Sequence, residues 1–285
     1  MKYLVTGATG NIGARVVEQL IGSGERPCVL ARNVAKARAL FGERVDILVG
    51  DLADAGSLRP AFAGIDAVFL VNSGPDIARR DAAAAQAARS AGVKRIVKLS
   101  AMGARSETST AELGSWHAAG EAAVRASGVA FTFVQPAGFM TNALAWAASI
   151  KAEGVVRAST GEGRIAMIHP GDIASVAARA LTSDDFEGES LPITGPQALT
   201  YAEMTAALGS AIDRELVFQP ISDAEARARL VDHGMPDAVA NALVGLWQSV
   251  RDGRVAGVTD TVERVLGRKP LTFAQWAREN AVAFR

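Results

Sequence analysis

The first half of the chain alternates short apolar runs with alanine-rich segments of mixed polarity. The runs are apolar at nearly every position, which is typical of strands that are covered on both faces. They predict strands at Tyr3–Thr6, Cys28–Ala31, Val45–Val49, Ala67–Val71, Arg95–Leu99 and Phe131–Val134. Ile12–Ile21 and Ile77–Ala91 have the length and composition of helices. This alternation predicts right-handed βαβ units in an α/β fold, a doubly wound parallel sheet of the Rossmann type.

The pattern loosens after about Phe139, where helical segments dominate. A helix should begin after the Thr200 cap, and mostly helical segments follow from Ser222. The other expected elements are helices near Asn142–Ala152 and Pro170–Leu181 and strands at Val155–Ala158, Arg164–Ile168, Ser190–Thr194 and Glu215–Phe218. We therefore expect a cofactor domain at residues 1–154 and a smaller, mostly helical substrate domain at 155–285, with segments crossing between the two.

Composition narrows the class of protein. The 285 residues carry 30 basic and 30 acidic side chains, so the net charge gives no reason to expect nucleic acid or an anionic membrane as partner. No apolar stretch approaches the roughly 18 residues that cross a bilayer, and no secretory signal is visible, so we expect a soluble, cytoplasmic protein. Cys28 is the only cysteine, and His117, His169 and His233 lack ligand spacing. We therefore expect neither a disulfide nor a metal site.

A glycine-rich turn follows the first predicted strand and opens the first predicted helix. Gly7 would permit the tight turn, Gly10 would let backbone approach a pyrophosphate, and Gly13 would allow close packing of helix on strand. The N–H groups of the helix would then face the phosphates. The other candidate contacts in this turn are Thr9, Asn11 and Ile12. An ordinary βα turn is the alternative, which the order of strand, motif and helix disfavours.

These glycines and several later segments resemble the atypical, NmrA-like branch of the short-chain dehydrogenase/reductase superfamily, in particular its NAD(P)H:quinone oxidoreductases and triphenylmethane reductases. The similar segments are Thr6–Gly13, Gly50–Leu52, Lys98–Ala101, Ala126–Thr132, Gln135–Asn142, Val262–Pro270 and Phe273–Trp276. The resemblance spans nearly the whole chain and implies an NAD(P)H cofactor. It also implies that the cofactor site includes Leu52, Asn72, Ser73, Ser100, Ala101, Ala137, Gly138 and Phe139.

Charge at the end of the second predicted strand favours NADP(H) over NAD(H). An acidic residue there would bind the adenosine ribose diol and repel a 2′-phosphate, but this chain has Arg32 instead. A guanidinium suits a dianionic phosphate, and Lys36 in the next helix could assist. The alternative is that Arg32 is merely solvated and the site accepts NAD(H). The resemblance implies that Asp51 accepts a hydrogen bond from the adenine amine, although an aspartate after a strand is also a common helix N-cap.

The chain lacks the tyrosine–lysine pair that many members of the superfamily use for catalysis. The resemblance places the lysine at position 117, which is His117, and the tyrosine at Leu113. We consider His117 a candidate proton donor or ribose ligand, because an imidazole ordinarily titrates near neutrality. Glu121 lies one helical turn later, so a surface His–Glu pair without chemistry is the alternative.

Ser100 is the second candidate catalytic residue. It follows the fifth predicted strand, at the edge where parallel sheets place ligand contacts, although a lone serine there is also a common turn residue. Apolar side chains nearby and in the tail could line a pocket for a flat aromatic substrate or belong to a core. They are Phe139, Met140, Leu144, Trp146, Met235, Leu243, Leu246 and Trp247.

Two functions remain open on the sequence. The first is an NADPH-dependent oxidoreductase that delivers hydride to a quinone-like or other conjugated aromatic acceptor, which is already electrophilic and can take its proton from water. The second is a non-catalytic NADP(H)-binding sensor that acts through a protein partner. A third function, epimerase or dehydratase action on nucleotide sugars, is disfavoured because it depends on the missing tyrosine. The natural substrate and the oligomeric state stay open.

Overall fold

The computed structural model of the chain describes residues 1–105 and 112–285. The strands in chain order are β1 Tyr3–Val5, β2 Cys28–Ala31, β3 Asp46–Val49, β4 Ala67–Leu70, β5 Arg95–Leu99, β6 Ala130–Pro136, β7 Val155–Ala158, β8 Arg164–Ile165, β9 Ser190–Ile193, β10 Leu199–Thr200 and β11 Val217–Pro220. The helices are α1 Asn11–Gly22, α2 Val34–Phe41, α3 Ala55–Ala61, α4 Ile77–Ala91, α5 Glu112–Ala126, α6 Ala147–Glu153, α7 Pro170–Thr182, α8 Tyr201–Ile212, α9 Asp223–Asp232, α10 Asp237–Arg251, α11 Thr261–Leu266 and α12 Phe273–Glu279.

Seven strands form the main sheet, in the order β3-β2-β1-β4-β5-β6-β9. Strands β1 to β6 pair in parallel, so their carboxyl ends meet at one edge. The chain builds outward from β1 to β3 and then crosses back to place β4 on the other side of β1, which is the doubly wound topology. Every residue of β2 and of β4 is buried, as their uninterrupted apolar sequences require. The predicted fold class is confirmed.

The described residues divide into two compact units whose bounds differ from the expected boundary after residue 154. The first unit comprises 1–105, 113–136 and 170–192, and the second comprises 137–169 and 193–285. Residues 170–192 return to the first unit because α7 packs against α1 and because β9 lies beside β6, where the Phe133 N–H donates to the Glu189 carbonyl at 3.0 Å. The buried Arg95 guanidinium also donates to the Leu181 carbonyl at 3.2 Å.

The second unit is mostly helical, as predicted, with two small sheets that pair β10 with β8 and β11 with β7. Its core is rich in large aromatic side chains, and the Trp247 Nε1–H donates to the buried Tyr201 hydroxyl at 3.1 Å. The helix expected near Asn142–Ala152 is instead a 3₁₀ turn, Met140–Trp146, followed by α6. No described helix is long and apolar enough to cross a membrane.

Candidate functional site

The glycine turn after β1 is shaped by contacts that exclude side chains. Gly7 has φ +57°, a left-handed conformation that favours glycine, and a Cβ there would lie 3.1 Å from the Val71 side chain. A Cβ on Gly13 would lie only 2.3 Å from the Gly7 carbonyl oxygen, so α1 can approach the turn this closely only with glycine at that position. The Gly10 N–H donates to the same carbonyl at 2.9 Å. These distances give the first and third glycines the mechanical roles that the sequence predicted.

The amino terminus of α1 is arranged to receive an anion. Gly10 occupies the N-cap position and has no side chain with which to cap the helix, whose first turn contains no acidic residue. Gly7, Gly10 and Asn11 are exposed to solvent, whereas Thr9 is partly buried and Ile12 packs into the core. The positive end of the helix dipole therefore faces an exposed turn, which suits a pyrophosphate.

Arg32 extends from the end of β2 into solvent, with 79% of its side chain exposed. Its Nη1 lies 3.7 Å from Oδ2 of Asp51, which follows the neighbouring strand β3. An exposed pair of this kind contributes at most about 1 kcal/mol, so the guanidinium can exchange this partner for a phosphate. Lys36 lies exposed in the first turn of α2, where its N–H donates to the Asn33 side chain at 2.9 Å.

Asp51 does not cap the helix that follows it. Its Oδ1 accepts the Ala53 N–H at 2.9 Å, whereas the cap of α3 is Asp54, whose side chain accepts the Gly56 N–H. The Asp51 carboxylate and Leu52 are partly buried at the carboxyl end of β3. The alternative reading of Asp51 as an N-cap is therefore wrong.

A buried ion pair that the sequence analysis missed lies beside the ends of β4 and β5. Nζ of Lys98 is 2.8 Å from Oδ2 of Asp81 in α4, and the two side chains are 1% and 0% exposed. Gly120 in α5 makes the room, because a Cβ there would lie 2.2 Å from that same oxygen. The Asn72 Nδ2–H donates to Asp81 Oδ1 at 3.4 Å, and the exposed Ser73 donates its backbone N–H to the Asn72 side-chain Oδ1 at 3.0 Å. The sequence signal that could have revealed this pair is a lysine inside an otherwise apolar strand.

His117 lies on α5 and is partly buried. Burial, and then the positive charge of Lys98, lower the pKa of His117 to about 3. Its Nδ1 is buried and has no hydrogen-bond partner among the described residues. The imidazole is therefore neutral at neutral pH, and the expectation that it titrates near neutrality is wrong, because that expectation ignored desolvation. Leu113 also belongs to α5, but its side chain lies outside the described part of the structure.

Glu121 is not the surface partner of His117 that the alternative reading required. Its side chain is buried, and its Oε1 accepts the Ser100 hydroxyl at 2.5 Å and the Gln135 Nε2–H at 2.7 Å. The Arg125 guanidinium lies 3.6 Å from its Oε2. Ser100 is thus a buried donor to a carboxylate, and this arrangement leaves its proton unavailable to a substrate. Ala101, next in the chain, is partly buried.

Ala137, Gly138 and Phe139 directly follow β6 and belong to the second unit, where all three are partly buried. The Gly138 carbonyl accepts the Ile168 N–H at 2.8 Å, and a Cβ on Gly138 would lie 2.9 Å from the Ile165 side chain. Of the apolar candidates for a substrate pocket, several are core residues of this unit instead. They are Met140, Trp146 and Trp247. Leu144 is exposed, and Met235, Leu243 and Leu246 are partly buried.

The doubly wound sheet and its open glycine turn define a dinucleotide-binding α/β protein. Among the described residues, no group of three or more histidine, cysteine, aspartate or glutamate side chains could hold a metal ion. Residues 7–184 match the family model described as NAD(P)H-binding, and the chain belongs to this family. The resemblance to the NmrA-like branch and the predicted nicotinamide dinucleotide cofactor are thereby confirmed.

Similar proteins span the whole chain. An NAD(P)H azoreductase of Xenophilus azovorans is 40% identical over 283 residues, which are 99% of this chain and 98% of the relative. A (4-alkanoyl-5-oxo-2,5-dihydrofuran-3-yl)methyl phosphate reductase of Streptomyces griseus is 38% identical over 99% of this chain and 98% of the relative. A solved structure of the NADPH-dependent quinone oxidoreductase QOR2 of Escherichia coli, complexed with NADPH, has a TM-score of 0.89 at 28% identity and covers 97% of this chain and 99% of its own.

Proposed function

We propose that this chain is an NADPH-dependent oxidoreductase that delivers hydride to a quinone-like or other conjugated aromatic acceptor without a tyrosine–lysine acid pair. The observation that carries the proposal is the combination of the open glycine turn with Arg32 at the end of β2. The turn accommodates the pyrophosphate, and the Arg32 guanidinium binds the 2′-phosphate that distinguishes NADPH from NADH.

The residues present fit this cofactor. Gly7 and Gly13 let the turn pack tightly against Val71 and α1, and the exposed N-cap residue Gly10 has no side chain that would compete with a diphosphate. Asp51 would accept from the adenine amine, while Arg32 and Lys36 would neutralise the phosphate. A bound NADPH supplies a hydride at its nicotinamide ring.

The acceptor class follows from what the candidate catalytic residues can do. Ser100 donates to Glu121, and the low pKa of His117 leaves it uncharged at neutral pH, so neither supplies a readily released proton. A simple ketone needs an acid at its oxygen as hydride arrives, whereas a conjugated acceptor does not. The neutral His117 can still hydrogen-bond a ribose hydroxyl or the acceptor, and the Ser100 oxygen can still accept from a ribose hydroxyl, so we retain both as site residues.

The similar proteins support this acceptor class. Their names specify an azo compound, a quinone and an oxo-dihydrofuran, and all three are conjugated electrophiles. We infer that the substrate of this chain is a small molecule of the same chemical kind. The cytoplasmic location and the absence of nucleic-acid and membrane partners stay predictions.

A non-catalytic sensor is the second candidate, because the same two observations on Ser100 and His117 also describe a site without an acid. Oxidation of NADPH and of NADH, followed by the absorbance of the reduced nicotinamide, separates the two functions. We expect acceptor-dependent oxidation, faster with NADPH, in a panel of quinones, azo dyes and triphenylmethane dyes. Tight NADPH binding without turnover on any acceptor in the panel would favour the sensor.

A further inference from the structure

We propose that Glu121 is a positioning residue of the cofactor site. It orients the Gln135 amide so that Gln135 Oε1 accepts a hydrogen bond from the nicotinamide nucleotide half of the bound dinucleotide. The proposal rests on the dinucleotide binding that the proposed function requires, and it assigns a role to two residues outside the glycine turn.

Glu121 joins the carboxyl ends of two neighbouring strands. Ser100 follows β5 directly, and Gln135 is the penultimate residue of β6. The Ser100 hydroxyl and the Gln135 Nε2–H both donate to Glu121 Oε1. The Ser100 N–H also donates to the Val134 carbonyl at 2.7 Å, which holds the two strand ends in register. A buried carboxylate is expensive unless donors surround it, so these two hydrogen bonds account for its position.

The contact with Glu121 determines which way the Gln135 amide points. With Nε2 facing the carboxylate, the amide gains a charge-assisted hydrogen bond, whereas the flipped amide would bring two oxygens together. Gln135 is 1% exposed, and its Oε1 has no hydrogen-bond partner among the described residues. An unpaired buried acceptor is costly, so a ligand donor at this oxygen would relieve that cost. The geometry therefore leaves one acceptor that a ligand can satisfy.

The position of this acceptor along the sheet indicates which part of the dinucleotide supplies the donor. The glycine turn follows β1, and Arg32 follows β2 on one side of it. The adenosine half therefore extends toward β2, and the other half extends across β4 toward β5 and β6. Neighbouring strands lie about 4.8 Å apart, so β5 and β6 lie roughly 10 to 15 Å from the pyrophosphate turn. The donors available at that distance are the ribose hydroxyls and carboxamide of the nicotinamide nucleotide.

The test compares NADPH with 2′-phospho-ADP, which lacks both the nicotinamide and its ribose, by calorimetric titration of the full chain. Glu121→Met removes the oxygen that accepts from both donors, so the orientation of the Gln135 amide is no longer fixed. We expect the affinity for NADPH to fall about tenfold, as for loss of one hydrogen bond to a buried group, while the affinity for 2′-phospho-ADP stays unchanged. Arg125→Gln is the matched control, because it removes a partner of the same carboxylate on its exposed side and should change neither affinity.

A parallel fall in both affinities would contradict the proposal and assign Glu121 a structural role. Two unchanged affinities would show that Glu121 has no role in binding either ligand. If Glu121→Met does not fold, Gln135→Met provides the same comparison with Glu121 and Ser100 still paired, and the same selective loss is expected. The readout needs no turnover. A protein without acceptor-dependent activity would therefore contradict the proposed function and leave this result standing.

Discussion

Replacing Arg32 by alanine tests the cofactor preference most directly. Hydrogen bonds to a charged group contribute about 1.5–3 kcal/mol, and the 79% exposure of this side chain favours the lower end because solvent screens the charge. Binding a phosphate also gives up the 3.7 Å pair with Asp51, which is worth at most about 1 kcal/mol. The difference, about 0.5–1.5 kcal/mol, corresponds to a loss of roughly 2- to 13-fold in NADPH affinity.

The assay is a titration of NADPH and of NADH into the wild-type chain, Arg32→Ala and Arg32→Lys. NADH affinity should stay unchanged, because NADH has no 2′-phosphate, and the lysine variant should be intermediate since it keeps the charge but loses the planar fork. Arg38→Ala is the matched control. Arg38 lies on α2 close to Arg32 in sequence and pairs with Glu43, so its loss removes one exposed positive charge without touching the proposed phosphate site. Equal losses for NADPH and NADH in Arg32→Ala would refute the 2′-phosphate assignment.

Three further predictions concern the fold around the site. Gly13→Ala places a Cβ 2.3 Å from the Gly7 carbonyl oxygen, so we expect urea titration to show a free energy of unfolding lower by about 1–3 kcal/mol, together with weaker NADPH binding. An unchanged free energy of unfolding and an unchanged affinity would contradict the close packing. Because the folded-state pKa of His117 lies near 3, its contribution to stability is complete above its unfolded pKa near 6.5 and is lost as pH falls toward 3. Urea titrations of His117→Gln should therefore show a shallower loss of stability between about pH 6 and pH 4, whereas an unchanged slope would argue against a neutral imidazole. Lys98→Met leaves the buried Asp81 carboxylate without its cation and should lower the free energy of unfolding by about 3–5 kcal/mol in the same titration. Adding Asp81→Leu should restore most of that free energy. A double variant as unstable as the single one would contradict this reasoning.

The parts of the site that the sequence predicted are local in the chain. Gly7, Gly10 and Gly13 lie within one turn, and their spacing alone implies the strand, the turn and the helix start. Arg32 could be assigned for the same reason, since it directly follows an apolar strand whose end has a known place in a parallel sheet.

The missed features depend on contacts between distant segments. Lys98 meets Asp81 from a different element, and Glu121 meets Ser100 and Gln135 across the ends of two strands. No periodicity in one segment contains that information. The pKa of His117 was misjudged for the same reason, because its burial and its neighbour Lys98 exist only in the folded chain.

The return of residues 170–192 to the first unit has a consequence for folding on the ribosome. Because β9 and α7 complete that unit only after the intervening segment 137–169 has been made, the edge of β6 that faces away from β5 remains unpaired for that part of synthesis. Until α7 has been made, Arg95 likewise lacks its hydrogen bond to Leu181, and α1 lacks its packing against α7. The nascent cofactor-binding unit therefore offers an exposed strand to neighbouring chains until about two thirds of the protein has emerged, and a chaperone that covers this edge would act during that interval.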